Sequence, residues 1–226
     1  MKISKQTIEF LQSFATINNS IMIHAGSRIR TQDNMNKMIA YANIPDEFPQ
    51  TFAIYDLGEF LNAINLVADA DLTFGATDVT IKNTRTSLSY TYGDQEYIIE
   101  APETINYPVD HADNVNFDLS SEDLTQVLKA SSTLGLEHIS VSSRPGSKDI
   151  ILAAVDIENP SANKYEIVVG TASDTSEYNF IFRAERLKII KQDYKVSVNP
   201  AGISQFLGLN MEYYVAIESA SQFVSA

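Results

Sequence analysis

The chain has 226 residues and a net charge of −13, from 29 acidic and 16 basic side chains, and 44% of its residues are hydrophobic. This size and apolar content indicate a folded protein with a substantial core, in one large domain or two small ones. Disulfides and cysteine chemistry are excluded because there is no cysteine. No apolar run approaches the roughly 18 residues of a membrane span. The N-terminus lacks the apolar core of a signal peptide, so we expect a cytoplasmic protein with no membrane partner.

The first predicted element is a helix over 4–15, because Ser4 can cap its N-terminus and Ile8, Leu11 and Phe14 share one face. The period of the hydrophobic pattern then changes from 3.6 to 2. Alternating residues bounded by turn signals predict antiparallel strands, here at 19–26, 37–44 and 50–57.

The second predicted helix, 56–67, is the clearest element in the sequence. Asp56 can be the N-cap, Glu59 stands at N3, and Tyr55 and Phe60 are placed to form a hydrophobic staple. Leu57, Phe60, Leu61 and Ile64 form its apolar face, whereas the other face is small and polar. Four short strands are predicted after it, at 71–76, 78–83, 86–92 and 96–101.

The second half of the chain repeats this order, beginning with Ser120, which can cap a helix as Ser4 does and lies 116 residues after it (120 − 4). A helix is predicted over 120–133 and a short one over 184–191, and the predicted strands are 137–143, 149–157, 164–171, 193–200 and 212–219. The chain therefore reads as an internal duplication of an α+β unit. We predict domains over 1–104 and 115–226, joined by a connector over 105–114.

A series of collinear segments resembles the trimeric sliding clamps of tailed bacteriophages, which are DNA polymerase processivity factors. The strongest segments are "YANIPDEF" (41–48) and "AIYDLGEFLNAINLVADA" (53–70). Similar stretches occur at 2–18, 122–134, 194–198 and 213–219. The resemblance implies a DNA-clamp fold in which each of two similar domains packs two helices on antiparallel sheets. It also implies a homotrimeric ring that catalyses nothing and needs no cofactor.

The resemblance further implies that the ring encircles duplex DNA and tethers the replicative DNA polymerase in the cytoplasm of the bacterial host. Implied partners are a C-terminal peptide of the polymerase, a clamp-loader ATPase and, in some relatives, late-transcription factors. Encirclement would retain on DNA a protein whose net charge opposes binding to a polyanion. A charge sum cannot reveal a clustered basic surface inside an acidic chain.

Eight polar side chains on or beside the presumed hole-lining helices are the candidates for facing DNA. They are Lys2, Lys5, Gln12, Lys129, Arg183, Arg186, Lys188 and Lys191. For any one of them, an ordinary solvated helix face is an equally good interpretation. Together they predict a weakly positive lumen, and Glu9, Glu59, Glu122 and Glu185 dilute its charge.

The partner-peptide pocket is expected to be a partly exposed apolar patch with a polar rim. The candidates are Tyr107, Pro108 and Val109 in the connector and Phe223 near the C-terminus. Each of them could equally well pin the connector or the tail to the body of the protein.

Few residues suggest enzyme chemistry, and no nucleotide-binding, hydrolase or zinc-protease motif is present. The most metal-like group, His111 between Asp110 and Asp113, is better interpreted as a solvated linker, and no metal site is predicted. Two alternatives remain open from sequence, a structural β-rich virion protein with no DNA role and a small hydrolase that uses paired carboxylates.

Overall fold

The computed structural model describes residues 1–159 and 161–225 and divides the chain into two compact units, Met1–Ile105 and Asn106–Ala226. Three α-helices, two 3₁₀ turns and sixteen strands lie within the described residues. All the strand pairs within each unit are antiparallel. The α+β class predicted from the alternating periods is confirmed.

The first unit contains two helices and seven strands. Its elements are α1 (Lys5–Ala15), β1 (Ile21–Ile23), β2 (Gly26–Gln32), β3 (Met38–Phe48), β4 (Phe52–Ile54), α2 (Leu57–Leu66), β5 (Asp71–Phe74), β6 (Asp78–Lys82), β7 (Ser87–Thr91) and a 3₁₀ turn at Gln95–Tyr97. Strand β1 pairs with β4, and β2 pairs with β3. Strands β5, β6 and β7 form a three-stranded sheet in that order.

In the second unit, the described residues form one α-helix and nine strands. Its elements are β8 (Val115–Leu119), α3 (Ser121–Leu134), β9 (His138–Ser142), β10 (Asp149–Val155), β11 (Tyr165–Thr171), β12 (Glu177–Arg183), a 3₁₀ turn at Ala184–Leu187, β13 (Tyr194–Asn199), β14 (Ile203–Leu207), β15 (Met211–Ala216) and β16 (Gln222–Val224). One sheet has the order β11-β10-β9-β12-β16, and β15, β14, β13 and β8 are neighbours in that order in another.

All three helices begin at the caps predicted from sequence. The side chains of Ser4, Asp56 and Ser120 accept hydrogen bonds from backbone N–H groups three residues later, at 3.2, 2.8 and 3.0 Å respectively. Each bond satisfies one of the free donors at a helix N-terminus. The helix positions therefore follow from local sequence chemistry.

The predicted staple between Tyr55 and Phe60 is wrong. Tyr55 is 68% exposed, and the buried Phe60 ring instead packs on Tyr90, with ring centroids 5.2 Å apart. Leu57 and Leu61 are buried as expected, and Ala63, which is not part of the predicted apolar face, is also buried. The buried face of α2 therefore contains the predicted Leu57, Phe60 and Leu61 and extends to Ala63.

The predicted helix over 184–191 is also wrong, since only a 3₁₀ turn forms at Ala184–Leu187. Two tyrosine hydroxyls bind the backbone of Ile190 from outside the segment. The Tyr194 hydroxyl donates to its carbonyl at 2.6 Å, and the Tyr213 hydroxyl accepts from its N–H at 3.3 Å. These tertiary bonds take the groups that a continuing helix would need.

Other differences concern strands. The predicted strand at 96–101 is replaced by the 3₁₀ turn, which Asp94 caps through the Glu96 N–H at 3.0 Å. Five strands were not predicted from sequence, namely β2, β8, β12, β14 and β16. No helix in the part of the chain that the structure describes is long and apolar enough to cross a membrane.

Candidate functional site

The predicted DNA-facing residues of the first unit all lie on exposed surface at α1. Lys2, Lys5 and Gln12 are exposed. The two lysines line a groove of about 360 Å³ between the start of α1 and the end of α2. Ile8 and Ile64 are among the apolar residues that also line it, so the ammonium groups stand beside an apolar surface.

The predicted lysines of the second unit are exposed as well. Lys129 lies on α3, and Lys188 and Lys191 follow the 3₁₀ turn. Across residues 1–159 and 161–225, none of these three, nor Lys2 or Lys5, has a carboxylate within ion-pair distance. Five ammonium groups are thus available to an external anion.

The two predicted arginines differ from the lysines because both are ion-paired. Arg183 Nη1 lies 3.0 Å from Glu137 Oε2, and both side chains are well exposed, at 40% and 75%. Arg186 pairs with Glu218, and these side chains are only 16% and 27% exposed. The segment 183–191 contains four of the predicted DNA-facing bases. It therefore carries less free positive charge than its composition indicates.

The structure brings Arg183 and Lys188 together but not Arg186. A depression of about 430 Å³ is formed by the C-terminal end of α3, the residues that follow it and the 3₁₀ turn. Its charged lining residues are Glu137, Arg183, Glu185 and Lys188. Two acids therefore balance two bases at this place.

The outward face of α2 carries no base. Glu59, Asn62 and Asn65 are exposed, and Leu66 is 74% exposed. Behind them, burial together with the charges of Glu59 and Asp56 raises the pKa of Tyr90 to about 12, so that this hydroxyl stays neutral. This helix therefore presents a surface without positively charged phosphate-binding groups.

The connector residue Tyr107 is part of the core and not of an open pocket. Its side chain is buried, and its hydroxyl donates to the Ser197 carbonyl at 2.8 Å. Burial raises the pKa of Tyr107 above its ordinary value. The exposed Pro108 is held by its carbonyl, which accepts from Asn114 Nδ2 at 2.7 Å. Both residues fix the path of the connector.

Val109 and Phe223 line different depressions. Val109 is 64% exposed and lines a groove of about 430 Å³ together with Phe117, Val196 and Leu207. Phe223 stacks on Phe180 at 6.2 Å between ring centroids and lines a separate depression of about 300 Å³. Leu207, 45% exposed, was missed from sequence, because only the pairing of β13 with β14 shows that it stands beside the connector.

Several strands lie at the edges of their sheets. Strand β7 ends the three-stranded sheet of the first unit, and β11 ends the five-stranded sheet of the second; β2 and β8 are further edge strands. The opposite edge of the first sheet is partly taken, because Met1 and Leu72 exchange two backbone hydrogen bonds. The opposite edge of the second sheet is the three-residue β16. An open, weakly charged edge is a surface at which another chain can add.

The histidines offer no catalytic arrangement. His24 Nε2 lies 3.1 Å from both Glu100 Oε2 and Arg30 Nη2, in a surface cluster, and His138 is buried. His111 lies 3.9 Å from Asp113. The described residues contain no group of three or more potential metal ligands.

Comparison with known proteins gives matches over both halves of the chain. The family model "DNA polymerase processivity factor" matches residues 3–100, and "gp45 sliding clamp, C terminal" matches residues 116–219. The chain is 52% identical over 220 residues to the sliding clamp of Vibrio phage KVP40, covering 97% of the chain and all of that relative. It is 31% identical over 228 residues to the sliding clamp of Escherichia phage RB69, with 98% of each covered.

Among solved structures, the chain matches the PCNA of A. fulgidus bound to the C-terminal region of FEN-1. The TM-score is 0.71 at 10% identity, and 98% of each chain is covered. At this low identity the match establishes the fold. The DNA-clamp fold that the family resemblance implied is confirmed.

Proposed function

The chain belongs to the phage sliding clamps, the DNA polymerase processivity factors, and we propose that three copies close into a ring around duplex DNA. A processivity factor is not an enzyme, and neither the virion-protein alternative nor the hydrolase alternative is supported. The proposal adds to the family assignment the number of copies, the surface that faces DNA and the surfaces that meet other proteins. The ring would act in the cytoplasm of the infected bacterium.

One observation supports the assignment of the DNA-facing surface. Five exposed lysines lie on or beside α1, α3 and the 3₁₀ turn, although the chain carries a net charge of −13, and like four other exposed lysines they have no ion-pair partner among the described residues. A surface that must slide needs weak and replaceable phosphate contacts, because each strong contact is a barrier to translation. Flexible, solvated ammonium groups meet this need.

We propose that the ring closes by pairing β7 of one copy with β11 of the next. The two edges lie on different units, so that the contact is head to tail and can close on itself by rotation. Strand β7 has no charged residue. The single charge of β11, Glu166, is paired with Lys164 at 3.2 Å. Neither edge carries the unpaired charges that natural proteins use to prevent strand addition.

We also assign the polymerase peptide to the groove that contains Val109 and Leu207. Both side chains are substantially exposed, at 64% and 45%, and Phe117 and Val196 lie with them in the lining. Asp118 and Lys195, cross-strand neighbours on β8 and β13, supply a polar rim. An apolar centre with a polar rim is the physical form of a peptide-binding hot spot. A clamp-loader ATPase and late-transcription factors remain predicted partners, with no residue assigned to them.

The experiment that tests the ring is a measurement of native mass, followed by retention on DNA. Light scattering over a dilution series should give about 75 kDa, three times 25.1 kDa. After loading, the protein should remain on closed circular DNA and leave when the circle is cut once. A strict monomer at high concentration, or equal loss from circular and linear DNA, would contradict the proposal.

A further inference from the structure

The backbone holds Arg183 and Glu137, whose side chains form an ion pair, next to each other. The Ala184 N–H donates to the Glu137 carbonyl at 2.9 Å, and Arg183 lies opposite His138 in the pairing of β12 with β9. Glu137 immediately precedes β9, and Arg183 is the last residue of β12. The two residues therefore stand at adjacent backbone positions. Their side chains meet without any rearrangement, at 3.0 Å.

The pair is nevertheless easily replaced. Both side chains are well exposed, and exposed ion pairs contribute little to stability because water screens them and holding two side chains costs entropy. The contrast is the pair of Arg186 with Glu218, which is mostly buried and adjoins the Glu218 N–H bond to the Ile181 carbonyl at 2.7 Å. Of the two arginines, only Arg183 can change partners at low cost.

A phosphate offers Arg183 the same chemistry as Glu137 does. Guanidinium groups bind carboxylates and phosphates through the same fork of N–H donors. Lys188, which has no ion-pair partner among the described residues, lines the same depression as Arg183 and Glu137. An anion attracted by Lys188 therefore reaches an arginine whose Nη1 group is already bonded to a carboxylate.

We propose that Glu137 is a positioning residue that holds Arg183 back from the DNA backbone and so weakens the grip of the clamp on phosphates. This inference rests on the proposed DNA-facing surface and adds a regulating residue to it. Without this ion pair, Arg183 would bind phosphate strongly and slow the movement of the clamp along DNA. With Glu137 in place, a phosphate competes with an existing carboxylate for the charge of Arg183, and the net gain in free energy is small.

The test compares Glu137→Gln with Glu177→Gln, which removes the same charge from the exposed, opposite end of β12. The two positions lie about 20 Å apart at the rise of a β-strand. Affinity of the trimeric protein for a short duplex is measured by fluorescence anisotropy from about 50 to 200 mM salt. We expect Glu137→Gln to bind about two- to fivefold more tightly at low salt than Glu177→Gln. Its log–log salt slope should steepen by about 0.9 for one added phosphate contact.

The double variant Glu137→Gln with Arg183→Gln makes the test specific. We expect the slope to return to the wild-type value, because the released guanidinium is gone. Equal slopes for Glu137→Gln and Glu177→Gln, or a steep slope that persists in the double variant, would overturn the inference. Ring closure is judged separately, from retention of the wild type on circular against linear DNA. If the wild type is not retained on circular DNA, the comparison of salt slopes still tests the role of Glu137.

Discussion

Asp46 on β3 completes the N-terminus of α1 by bonding Thr7 from outside the helix. Its carboxylate accepts from the Thr7 hydroxyl at 2.6 Å and from the Ser4 N–H at 2.8 Å. In a capping box, the residue at N3 would satisfy that N–H itself. Burial raises the pKa of Asp46, but the hydrogen bonds from Thr7 and Ser4 outweigh burial and lower it below its ordinary value.

Asp46→Asn should therefore lower the free energy of unfolding at pH 7 by about 1–2 kcal/mol, because a hydrogen-bonded charge is lost. A carboxyl with a lowered folded-state pKa stabilises the fold above its unfolded pKa, and that stability is lost as pH falls through the folded value. The difference between wild type and Asp46→Asn should thus hold steady from pH 7 down to about pH 4 and shrink as the pH falls below 3.8, the ordinary pKa of the carboxyl. Urea unfolding at fixed protein concentration measures it, with Glu47→Gln, an exposed neighbour on β3, as the control. A difference that stays constant with pH would contradict this account.

Removing Arg186 should lower the stability of the protein more than removing Arg183. Arg186→Met leaves Glu218 mostly buried and unpaired, which should cost about 1–2 kcal/mol, less than for a fully buried pair because some solvent remains. Arg183→Met should cost less than about 1 kcal/mol, since its pair with Glu137 is exposed. Thermal unfolding of the two variants side by side gives the comparison. Equal losses would mean that Arg183 is also structural.

Reversing the charge of Lys5, Lys129 and Lys188 to glutamate should reduce the length of DNA synthesised per binding event and leave the trimer intact. The matched control reverses Lys37, Lys82 and Lys148, which are also exposed but do not belong to the predicted DNA-facing set. Both triple variants change the charge by the same amount. Primer extension with a trap for released polymerase measures the product length. Equal losses in the two variants would remove the three lysines from the proposed role.

Placing a charge on β11 should prevent ring closure. Val168→Asp adds a carboxylate to an edge strand at a position that is 56% exposed, and its desolvation on pairing would be unfavourable. Val224→Asp, at a position 63% exposed on β16 at the other edge of the same sheet, is the control. Light scattering should show a smaller species for Val168→Asp and unchanged mass for Val224→Asp. The reverse result would place the subunit contact at β16.

Substituting the groove beside the connector should weaken the polymerase peptide. Val109→Ser with Leu207→Ser removes two exposed apolar side chains, and we expect at least a tenfold loss of affinity for that peptide by calorimetry. Phe223→Ser, in the separate depression, should leave the affinity unchanged. Loss only with Phe223→Ser would move the site to the C-terminal strand.

The sequence was most informative where local chemistry decides the structure. Ser4, Asp56 and Ser120 predicted three helix starts because an N-cap acts on the residues that directly follow it. Alternating segments around Met22 and Val141 predicted strands for the same local reason. The short helix over 184–191 failed because its fate is decided by Tyr194 and Tyr213, whose hydroxyls take the Ile190 backbone.

The candidate site was harder to predict for a related reason. Composition counted Arg183 and Arg186 as free charges, but their partners Glu137 and Glu218 lie 46 and 32 residues away in sequence. Burial of Tyr107 likewise depends on Ser197, 90 residues further on. Side chains that meet only through the sheet pairings give no signal in a local pattern.

In the proposed ring the two contacting edges, β7 and β11, lie on different units, so a defective copy would impair the assemblies that it joins. A copy blocked at β11 keeps an intact β7 and can still join a normal copy, but that assembly can never close. If one copy in three is defective and the copies mix at random, only about eight of every 27 trimers contain three normal copies and can close head to tail. A co-infecting phage that encodes a clamp altered at β11 would therefore inhibit replication even when normal copies are present.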